Sequence, residues 1–470
     1  MALSTPEHPE KGSSQLNEEH QLPRPPPPPQ SQTSLPYPDS CLSYWHRTTR
    51  TFPYLNHNQT NAVPSSAQYV VIGSGIAGAL TAFKLLEAGI NPKELLILEA
   101  REAVSGSSGR NAGHVRPDAF RGFSGYAAAH GVEQALKIVD NENAVADLVA
   151  KFVHEHDIPC DFSPKPTFDV NITQEMADDE ETNVKEFVAA GGSLDGVKSY
   201  KGDEAKKRTG VRDALTAWEW PAASIHPAKL TQWMLSSVIE RGCKFWTHCP
   251  STAITRGKGD KWNVHTPQGI ISAERIVHCT NAYAGVLLPQ LDASLLTPIR
   301  IQVHSIIPNA AFSGSQALKS TMALRYGAMH FYALIQMPND GMIIFGVAKA
   351  TGITFDESSY KSEIVDEAVQ MFGDLFPGAK EPAEKHGEGL DHAWTGLIAI
   401  THDKVPYVGP IDDLPGQYIC AGFNGHGMAG IFKCAPGVVS LMLGETWEDT
   451  KLPECFQYSH ERLLRGQMKW

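Results

Sequence analysis

The first regular hydrophobic pattern along the chain begins near residue 69 and predicts a β-α-β unit. Residues 69–73 form a short continuous apolar run that ends in glycine, which is typical of a strand buried on both faces. Residues 77–88 are rich in Ala and Leu at helical spacing, and residues 95–98 form a second apolar run. Because parallel strands need a crossover connection, this order indicates two parallel strands joined by a helix.

The later pattern predicts one more helix, a hairpin and several strands. Residues 229–241 indicate a helix, and residues 262–271 place a Pro-Gln-Gly turn between two short strand-like runs. Residues 275–279 predict another buried strand, and further strand-like runs follow between about 295 and 385. The pattern therefore favours a chain that combines an α/β part with a part built mainly of strands.

Residues 1–66 differ in composition from the rest of the chain. They are rich in Pro, Ser, Gln, Asn and His and include five consecutive prolines at 25–29. Such a composition buries too little apolar surface to offset the entropy of ordering it, so we predict a disordered tail. A polyproline II ligand is the alternative interpretation of the proline run. Two aromatic residues, Tyr44 and Trp45, indicate that a segment near 43–54 packs onto the fold.

Charge and cysteine content narrow the classes of function. Forty Lys and Arg against 52 Asp and Glu give the 470-residue chain a formal charge of −12. This charge argues against nucleic acid or an anionic membrane as the main partner. The eight cysteines form no CxxC pair, which fits free thiols in a reducing compartment. Neither a secretory signal nor a membrane-spanning apolar run is visible, so we expect a cytoplasmic protein without a membrane partner.

Residues 73–78, GSGIAG, match the dinucleotide-binding fingerprint G-x-G-x-x-G. Gly73 permits the tight turn, Gly75 lets the backbone approach a pyrophosphate, and Gly78 lets the helix pack closely on the sheet. The pyrophosphate then lies at the helix N-terminus. Glu99, at the end of the second strand, is placed to bind ribose hydroxyls. The strand, the turn, the helix and the acidic residue together predict a dinucleotide site rather than a chance glycine turn.

A second loop of small residues, GSSGRNAGH at 106–114, favours FAD over NAD. The fingerprint alone fits either cofactor. A loop of this composition indicates backbone that lies close to a ligand larger than the first turn can hold. Its Arg and Asn favour ligand contact over a plain flexible loop. We therefore predict FAD as the cofactor.

Five motifs occur in an order that resembles one family. They are the fingerprint, SGRNAG at 108–113, SIHPAKL at 224–230, TNAY at 280–283 and GFNGHGM at 422–428. Over residues 43–446 the chain resembles the D-amino-acid-oxidase-like FAD oxidoreductases. Within that family it is most similar to the gamma-glutamylputrescine-oxidase-like branch, beside glycine and sarcosine oxidases.

The resemblance implies that the adenosine of FAD lies against residues 73–99 and that the flavin ring lies beside the 108–116 loop. It also implies that the glycine-rich residues 425–430 form the turn before a helix, expected from about 432 to 443. A helix N-terminus at the flavin's pyrimidine edge stabilises the negative charge of the reduced ring. The predicted FAD contacts are Gly73, Gly75, Ile76, Ala77, Gly78, Glu99, Ala100, Arg101, Ser107, Ser108, Arg110, Asn111, Ala112, Gly113, Asn281, Asn424, Gly425, His426, Gly427 and Met428.

Two positions depart from related enzymes that bind FAD covalently. The resemblance places the tethering cysteine of sarcosine-oxidase-like members at Gly396 and the tethering histidine of the dehydrogenase branch at Arg110. We therefore predict noncovalent FAD. Residues 342–346 are apolar where some oxygen-reactive members carry a lysine, so oxygen and other electron acceptors both stay open.

These observations predict an α/β fold in which a Rossmann-like FAD-binding domain is interleaved with an antiparallel-sheet (α+β) substrate domain. The segments expected for the FAD-binding domain are 67–165, 220–290 and 388–446, those for the substrate domain are 166–219 and 291–387, and residues 447–470 form a C-terminal extension. The site is expected between the two domains, where pockets often lie.

The resemblance implies oxidation of a carbon–nitrogen bond, in which an amine gives hydride to flavin N5 and the imine then hydrolyses. The protein groups mainly position the substrate and exclude water in such a reaction. The candidate catalytic residues are Arg116, His426 and Tyr332, for which a surface salt bridge, a backbone hydrogen bond and core packing are the respective structural alternatives. Phe331, like Tyr332, is a candidate to line the substrate cavity, where an aromatic face suits a cationic amine. Two weaker candidates are His114 and Arg325, the latter as the partner of a substrate carboxylate.

A metal site and two other functions are less well supported. Residues 154–157, HEHD, place two histidines on different faces of a helix, so no metal is predicted. A flavin monooxygenase of the aromatic-hydroxylase type would carry Gly-Asp-Ala where this chain has residues 422–427. A noncatalytic FAD-binding interaction protein would not oxidise amines. We expect a small-molecule amine or amino-acid-like substrate, and the oligomeric state stays open.

Overall fold

The computed structural model describes residues 35–38, 40–328, 330–349, 353–379 and 387–467. The proline run of the predicted tail therefore lies outside the described residues. Two β-sheets and the helices packed on them form the described part of the chain. No helix within that part is long and apolar enough to cross a membrane.

The described residues form seventeen strands and twelve α-helices. The strands are β1 (Ser66–Ile72), β2 (Leu95–Leu98), β3 (His114–Val115), β4 (Ser163–Asn171), β5 (Lys198–Lys201), β6 (Thr216–Ser224), β7 (Lys244–Trp246), β8 (Ala253–Arg256), β9 (Trp262–Thr266), β10 (Gly269–His278), β11 (Leu296–Ile307), β12 (Thr321–Gly327), β13 (His330–Gln336), β14 (Ile343–Lys349), β15 (Gly389–Thr401), β16 (Tyr407–Pro410) and β17 (Gln417–Ala421). The α-helices are α1 (Tyr44–Arg47), α2 (Ile76–Glu87), α3 (Phe123–His130), α4 (Val132–Glu155), α5 (Gln174–Ala189), α6 (Gly202–Thr209), α7 (Pro227–Glu240), α8 (Ala284–Leu287), α9 (Ser362–Leu375), α10 (Gly427–Met442), α11 (Trp447–Thr450) and α12 (His460–Gln467).

The first sheet is mostly parallel and has the strand order β16-β17-β10-β1-β2-β7, with the β8–β9 hairpin attached to β10. β1 pairs in parallel with both β2 and β10, and α2 is the crossover helix between β1 and β2. Every residue of β2 is buried, which explains its continuous apolar sequence. α2 packs against α7 and α10. This is the α/β layer that the first hydrophobic pattern predicts.

The second sheet has the order β15-β11-β14-β13-β12-β4-β6-β3, and β5 pairs with β6. Its pairs are antiparallel except for β4 and β12, which run parallel, so the predicted antiparallel sheet is in fact mixed at one position. The aromatic residues Phe372 and Phe376, in and after α9, pack with Phe345 of β14 and Phe312 in one buried cluster. α9 therefore covers part of one face of the sheet.

Two predicted elements differ from the structure. The strand predicted at 275–279 is the second half of β10, which runs without a break from Gly269 to His278. α10 begins at Gly427 rather than near residue 432, so glycines of the predicted turn lie in its first turn and Pro436 lies inside the helix. Pro436 removes one backbone donor there, which a helix tolerates only at a cost.

The predicted domain boundaries also differ from the sheets. β3, the start of β4, the last part of β6 and all of β15 belong to the second sheet, although they lie in segments predicted for the FAD-binding domain. β15 pairs with β11 from Leu296 to Ile307, a partner about 90 residues earlier in the chain. The aromatic segment predicted near 43–54 does pack onto the fold, since Trp45 is fully buried, and the described residues 55–65 continue from it to β1 rather than forming a disordered tail. The local composition of a segment does not show which distant strand it pairs with, as β15 does with β11.

Buried histidines make the fold sensitive to acid. Burial lowers their pKa values below the ordinary value of about 6.5. The pKa falls to about 4 for His278 and His304, and to about 3 for His46, His114 and His226. The unfolded chain therefore binds protons at these sites at a higher pH than the folded chain does.

We expect stability to be full above about pH 6.5 and to fall as the pH drops toward 4, because protons then favour the unfolded chain. Urea unfolding midpoints at a series of pH values measure this decline. His278→Gln should make the decline shallower, whereas His460→Gln, at an exposed position, should not. A midpoint that is constant from pH 7 to 4 would contradict the role of the buried histidines.

Candidate functional site

A cavity of about 910 Å³ lies between the two sheets. It begins at the carboxyl ends of β1, β2 and β10, the usual ligand position in an open parallel sheet. From there it reaches residues of β11, β12, β13, β14 and β15 in the second sheet. Its volume is at the upper end of the range for small-molecule and cofactor sites, which is about 300–1,000 Å³.

All predicted FAD contacts except Gly78 and Gly113 line this cavity. Those two glycines lie behind its wall. A Cβ atom on Gly78 would overlap the carbonyl oxygen of Gly73, and one on Gly113 would lie 2.9 Å from Cη2 of Trp45. Both glycines therefore allow backbone segments to approach each other closely behind the cavity.

The N-termini of α2 and α10 face the cavity, and the N-cap residue of each supplies no side-chain cap. α2 starts after Gly75 and α10 starts after His426, and neither N-cap residue makes a capping hydrogen bond through its side chain. Gly73, at φ +109°, turns the chain between β1 and α2. The N–H groups at the starts of these helices and the positive ends of the two helix dipoles favour anionic groups.

Glu99 is fixed at the end of β2 by hydrogen bonds to its carboxylate. Its Oε2 accepts from the backbone N–H of Ser74 at 3.0 Å and from Ser74 Oγ at 2.7 Å, and its Oε1 accepts from the N–H of Arg101 at 3.0 Å. The glycine turn, the anchored carboxylate and the two open helix N-termini fit FAD: they supply partners for a pyrophosphate, a ribose and an electron-rich ring edge.

Residues 105–113 form a loop that ties α2 to the second sheet. Ser108 Oγ accepts from the N–H of Ile76 at 2.8 Å, and Ser107 Oγ donates to the carbonyl oxygen of Leu397 at 2.8 Å. Asn111 Oδ1 accepts from the N–H of Gly113 at 2.8 Å. The loop thus forms a wall of the cavity that connects the two sheets.

Arg110 lines this wall, but protein groups already bind its guanidinium. The Nη1 atom donates to the carbonyl oxygens of Cys41 at 2.8 Å and Thr395 at 3.0 Å, and Nε donates to Ser105 O at 2.7 Å. A Cβ atom on Gly396 would lie 3.1 Å from Cβ of Arg110. The position that resembles a tethering cysteine is therefore also crowded.

Two asparagines predicted to contact FAD hold the turn before α10. Asn424 Oδ1 accepts from the N–H of Thr401 at 2.8 Å, and Asn281 Oδ1 accepts from the N–H of Gly422 at 3.2 Å. Both adopt positive φ angles, 53° for Asn424 and 45° for Asn281, a region that Asn tolerates better than most residues. They line the cavity while fixing the start of α10.

A buried cluster of charges lies at the far end of the cavity. Asp169 of β4 is fully buried and contacts Arg116, with Arg121 at 3.7 Å and Arg325 at 3.8 Å. Burial alone would raise the pKa of Asp169, but attraction to the three arginines outweighs burial and holds this pKa below its usual range. Arg116, a candidate catalytic residue, thus lines the cavity and holds Asp169.

His426 faces two acidic side chains that the sequence analysis did not select. Its Nε2 lies 3.3 Å from Oδ2 of Asp118, and its Nδ1 lies 3.7 Å from Oε1 of Glu142. Burial raises the pKa of Glu142 to about 6. The three groups are close enough to hold a metal ion, but Arg121 pairs with the other oxygen of Asp118, and its positive charge disfavours a second cation beside it. The arrangement can instead hold and release a proton beside the cavity.

Tyr332 lies away from the cavity, in the core of the second sheet. It is fully buried and stacks on Phe345 at 5.0 Å between ring centroids. Its neighbour Phe331 lines the cavity, because successive side chains of a strand point to opposite faces. Of the two aromatic candidates for substrate contact, Phe331 therefore faces the cavity and Tyr332 does not. His114 lines the cavity and hydrogen-bonds Leu334 O at 3.2 Å.

Known proteins share this fold and sequence pattern. Probable oxidoreductase OrdL of Haemophilus influenzae is 21% identical over 433 residues, which cover 87% of this chain and 92% of OrdL. Gamma-glutamylputrescine oxidoreductase of Escherichia coli is 21% identical over 380 residues, which cover 80% and 83% of the two chains. The crystal structure of glycine oxidase from Geobacillus kaustophilus matches with a TM-score of 0.67 at 18% identity and covers 82% of this chain and 96% of that chain.

The family model for FAD dependent oxidoreductases, DAO, matches residues 68–435, most of the chain. That span includes the fingerprint, the 105–113 loop and the start of α10, whose geometry fits FAD. The chain belongs to the DAO family of FAD dependent oxidoreductases.

Proposed function

We propose that the protein oxidises a carbon–nitrogen bond of an amine or amino-acid-like small molecule. The observation that carries this proposal is the mixed lining of the far end of the cavity. Arg121 and Arg325 lie there with Asp118 and Asp179, beside the ring of Phe331. A small polar molecule that carries both a positive and a negative group compensates for the desolvation of such a lining, whereas an apolar substrate does not.

The names of the similar proteins support the same class of substrate. One relative is named for gamma-glutamylputrescine and one structural neighbour for glycine, and both compounds contain nitrogen. At these levels of identity the comparison supports the class of substrate rather than one compound. The first sheet would carry the cofactor and the second sheet would carry most of the substrate contacts.

Different side chains bind the substrate and accept its proton in this proposal. FAD, when bound, supplies the group that accepts hydride from the substrate carbon. Arg325 is placed to bind an anionic group of the substrate, and Phe331 offers an aromatic face to a cationic nitrogen. His426, with Asp118 and Glu142 behind it, is placed to take the proton that the substrate nitrogen must lose.

Anaerobic mixing tests the proposal without knowledge of the electron acceptor. FAD-loaded protein is mixed with pairs of compounds in which an amino acid or amine stands beside the analogue with oxygen in place of nitrogen. We expect the nitrogen compound of at least one pair to bleach the visible flavin absorbance. Bleaching only by the oxygen analogues would refute carbon–nitrogen oxidation, and bleaching by no compound would favour the noncatalytic interaction protein.

The electron acceptor is tested in the same cuvette. Either oxygen or another acceptor completes the catalytic cycle. Rapid return of the flavin colour on admission of air indicates an oxidase. Slow return in air, with rapid return on addition of an artificial quinone, indicates a dehydrogenase.

Arg325→Gln is expected to weaken the binding of substrates that carry a carboxylate. A hydrogen bond to a charged group contributes about 1.5–3 kcal/mol. The substrate concentration that gives half of the maximal rate of bleaching should therefore rise at least about tenfold. The rate at saturation should change less. Amines without a carboxylate serve as the internal control, and an equal effect on both kinds of substrate would contradict this role of Arg325.

A further inference from the structure

Residues 40–47, which we call the N-terminal strap, lie outside residues 68–435, the part of the chain that the family model matches. The strap contacts the 105–113 loop, whose residues 106–108 and 110–112 line the cavity assigned to FAD. Trp45 and His46 of the strap contact this loop but are not among the residues that line the cavity. The loop therefore lies between these two strap residues and the cavity.

The strap binds backbone carbonyl groups of the loop and of the residue before it. Ser43 Oγ donates to Gly109 O at 2.5 Å, and Trp45 Nε1 donates to Asn111 O at 2.6 Å. Nδ1 of His46 accepts from the N–H of Ser43, so its Nε2 carries the proton and donates to Val104 O at 3.1 Å. Burial keeps this imidazole neutral by lowering its pKa to about 3.

The strap also packs where the loop has no side chain. A Cβ atom on Gly109 would overlap the imidazole of His46, and a Cβ atom on Gly113 would lie 2.9 Å from the indole of Trp45. Trp45 has no exposed surface. The loop backbone is thus held against two aromatic rings, with little room to shift toward the strap.

The other side of the strap is bound to the second sheet. His392 Nε2 hydrogen-bonds Leu42 O at 2.6 Å, and Arg47 pairs with Asp391 at 2.8 Å, both on β15. Tyr44 Oη donates to Asp340, in the turn between β13 and β14. The strap therefore links the second sheet to a loop that follows β2 of the first sheet.

We infer that the N-terminal strap holds the 105–113 loop in the conformation that binds FAD, with Ser43, Trp45 and His46 as positioning residues. A loop that lost these contacts would have to be ordered by FAD itself, and part of the binding free energy would be spent on that ordering. The inference concerns the cofactor alone and does not depend on the substrate proposed above.

Titration of the full-length apoprotein with FAD, followed by flavin fluorescence, tests the inference. Trp45→Phe keeps an aromatic ring and removes the indole N–H, and Ser43→Ala removes one hydroxyl. Each change removes one hydrogen bond to the loop, worth about 1 kcal/mol, so each should raise the FAD dissociation constant about fivefold. Ser43→Ala also removes the bond that Ser43 Oγ accepts from the N–H of His46 within the strap. The double variant should raise it by more than either single change, because both bonds hold the same loop.

Trp447→Phe is the matched control, since the indole nitrogen of Trp447 has no hydrogen-bond partner among the described residues. Its FAD affinity should equal that of the unmodified protein. A purely structural strap would lower the urea midpoint of the apoprotein and leave the FAD dissociation constant unchanged. That result, or unchanged affinity in the double variant, would overturn the inference.

Discussion

Gly78→Ala is expected to weaken FAD binding strongly while leaving the chain folded. The added Cβ atom would overlap the carbonyl oxygen of Gly73 and approach Cγ1 of Val71 to 3.2 Å. Since the carbonyl group of Gly73 is part of the backbone and cannot rotate away, α2 must move off β1, and the helix N-terminus leaves its place at the cavity. Overpacking of this kind costs about 1–3 kcal/mol, which corresponds to an increase of about 5- to 150-fold in the FAD dissociation constant.

Gly327→Ala controls for the loss of a glycine in general. It lies at the end of β12, its Cβ would approach no described atom closer than 3.9 Å, and it does not line the cavity. Flavin fluorescence titration of both variants compares their affinities. Unchanged FAD affinity in Gly78→Ala would mean that the contact between α2 and β1 does not set the cofactor site.

Asp169→Asn is expected to cause the largest loss of stability of any single change in the charge cluster. The amide keeps the shape of the carboxylate but leaves Arg116, Arg121 and Arg325 without their shared buried anion. Removing one partner of a buried ion pair costs about 3–5 kcal/mol. Urea unfolding of the variant should therefore show a much lower midpoint at neutral pH.

Asp203→Asn is the matched control for this change. Its side chain is fully exposed and pairs with Lys206 at 3.5 Å on the surface of α6, and exposed pairs contribute little. We expect its midpoint to lie close to that of the unmodified protein. A small effect of Asp169→Asn, similar to that of the control, would show that water rather than Asp169 compensates the three arginines.

Local features of the sequence predict the cofactor end of the site. β1, the glycine turn and α2 are contiguous, so one pattern of apolar runs and glycines specifies all three. The loop that follows β2 is likewise rich in small residues where it lines the cavity. These parts are predictable because the residues that build them lie close together in the chain.

The far end of the cavity depends on contacts between distant residues. Asp169 meets Arg116 across 53 positions, and His426 meets Asp118 across more than 300. Acidic residues are mostly exposed in proteins, so nothing in the sequence marks Asp118, Asp169 or Glu142 as buried. Cys249 and Ser251 also line the cavity, but they follow β7, a strand of three residues that is too short to recognise.

The neighbouring aromatic residues Phe331 and Tyr332 show a further limit. β13 reads HFYALIQ, and aromatic and aliphatic residues occupy both of its faces. Alternation of polar and apolar residues normally shows which face of a strand is buried. Without that alternation, the sequence cannot tell which of two neighbouring aromatic residues faces the cavity. The cavity in the structure gives the answer.

Titration of the apoprotein with FAD, followed by acid precipitation, tests the central claim most directly. We predict that the protein takes up FAD to a single equivalent per chain, turns yellow, and releases all of the colour into the acid supernatant. Colour that stays in the pellet would contradict noncovalent binding at a site with Gly396 and Arg110 in the tethering positions. An apoprotein that is folded but takes up no FAD would contradict the assignment of the cavity to this cofactor.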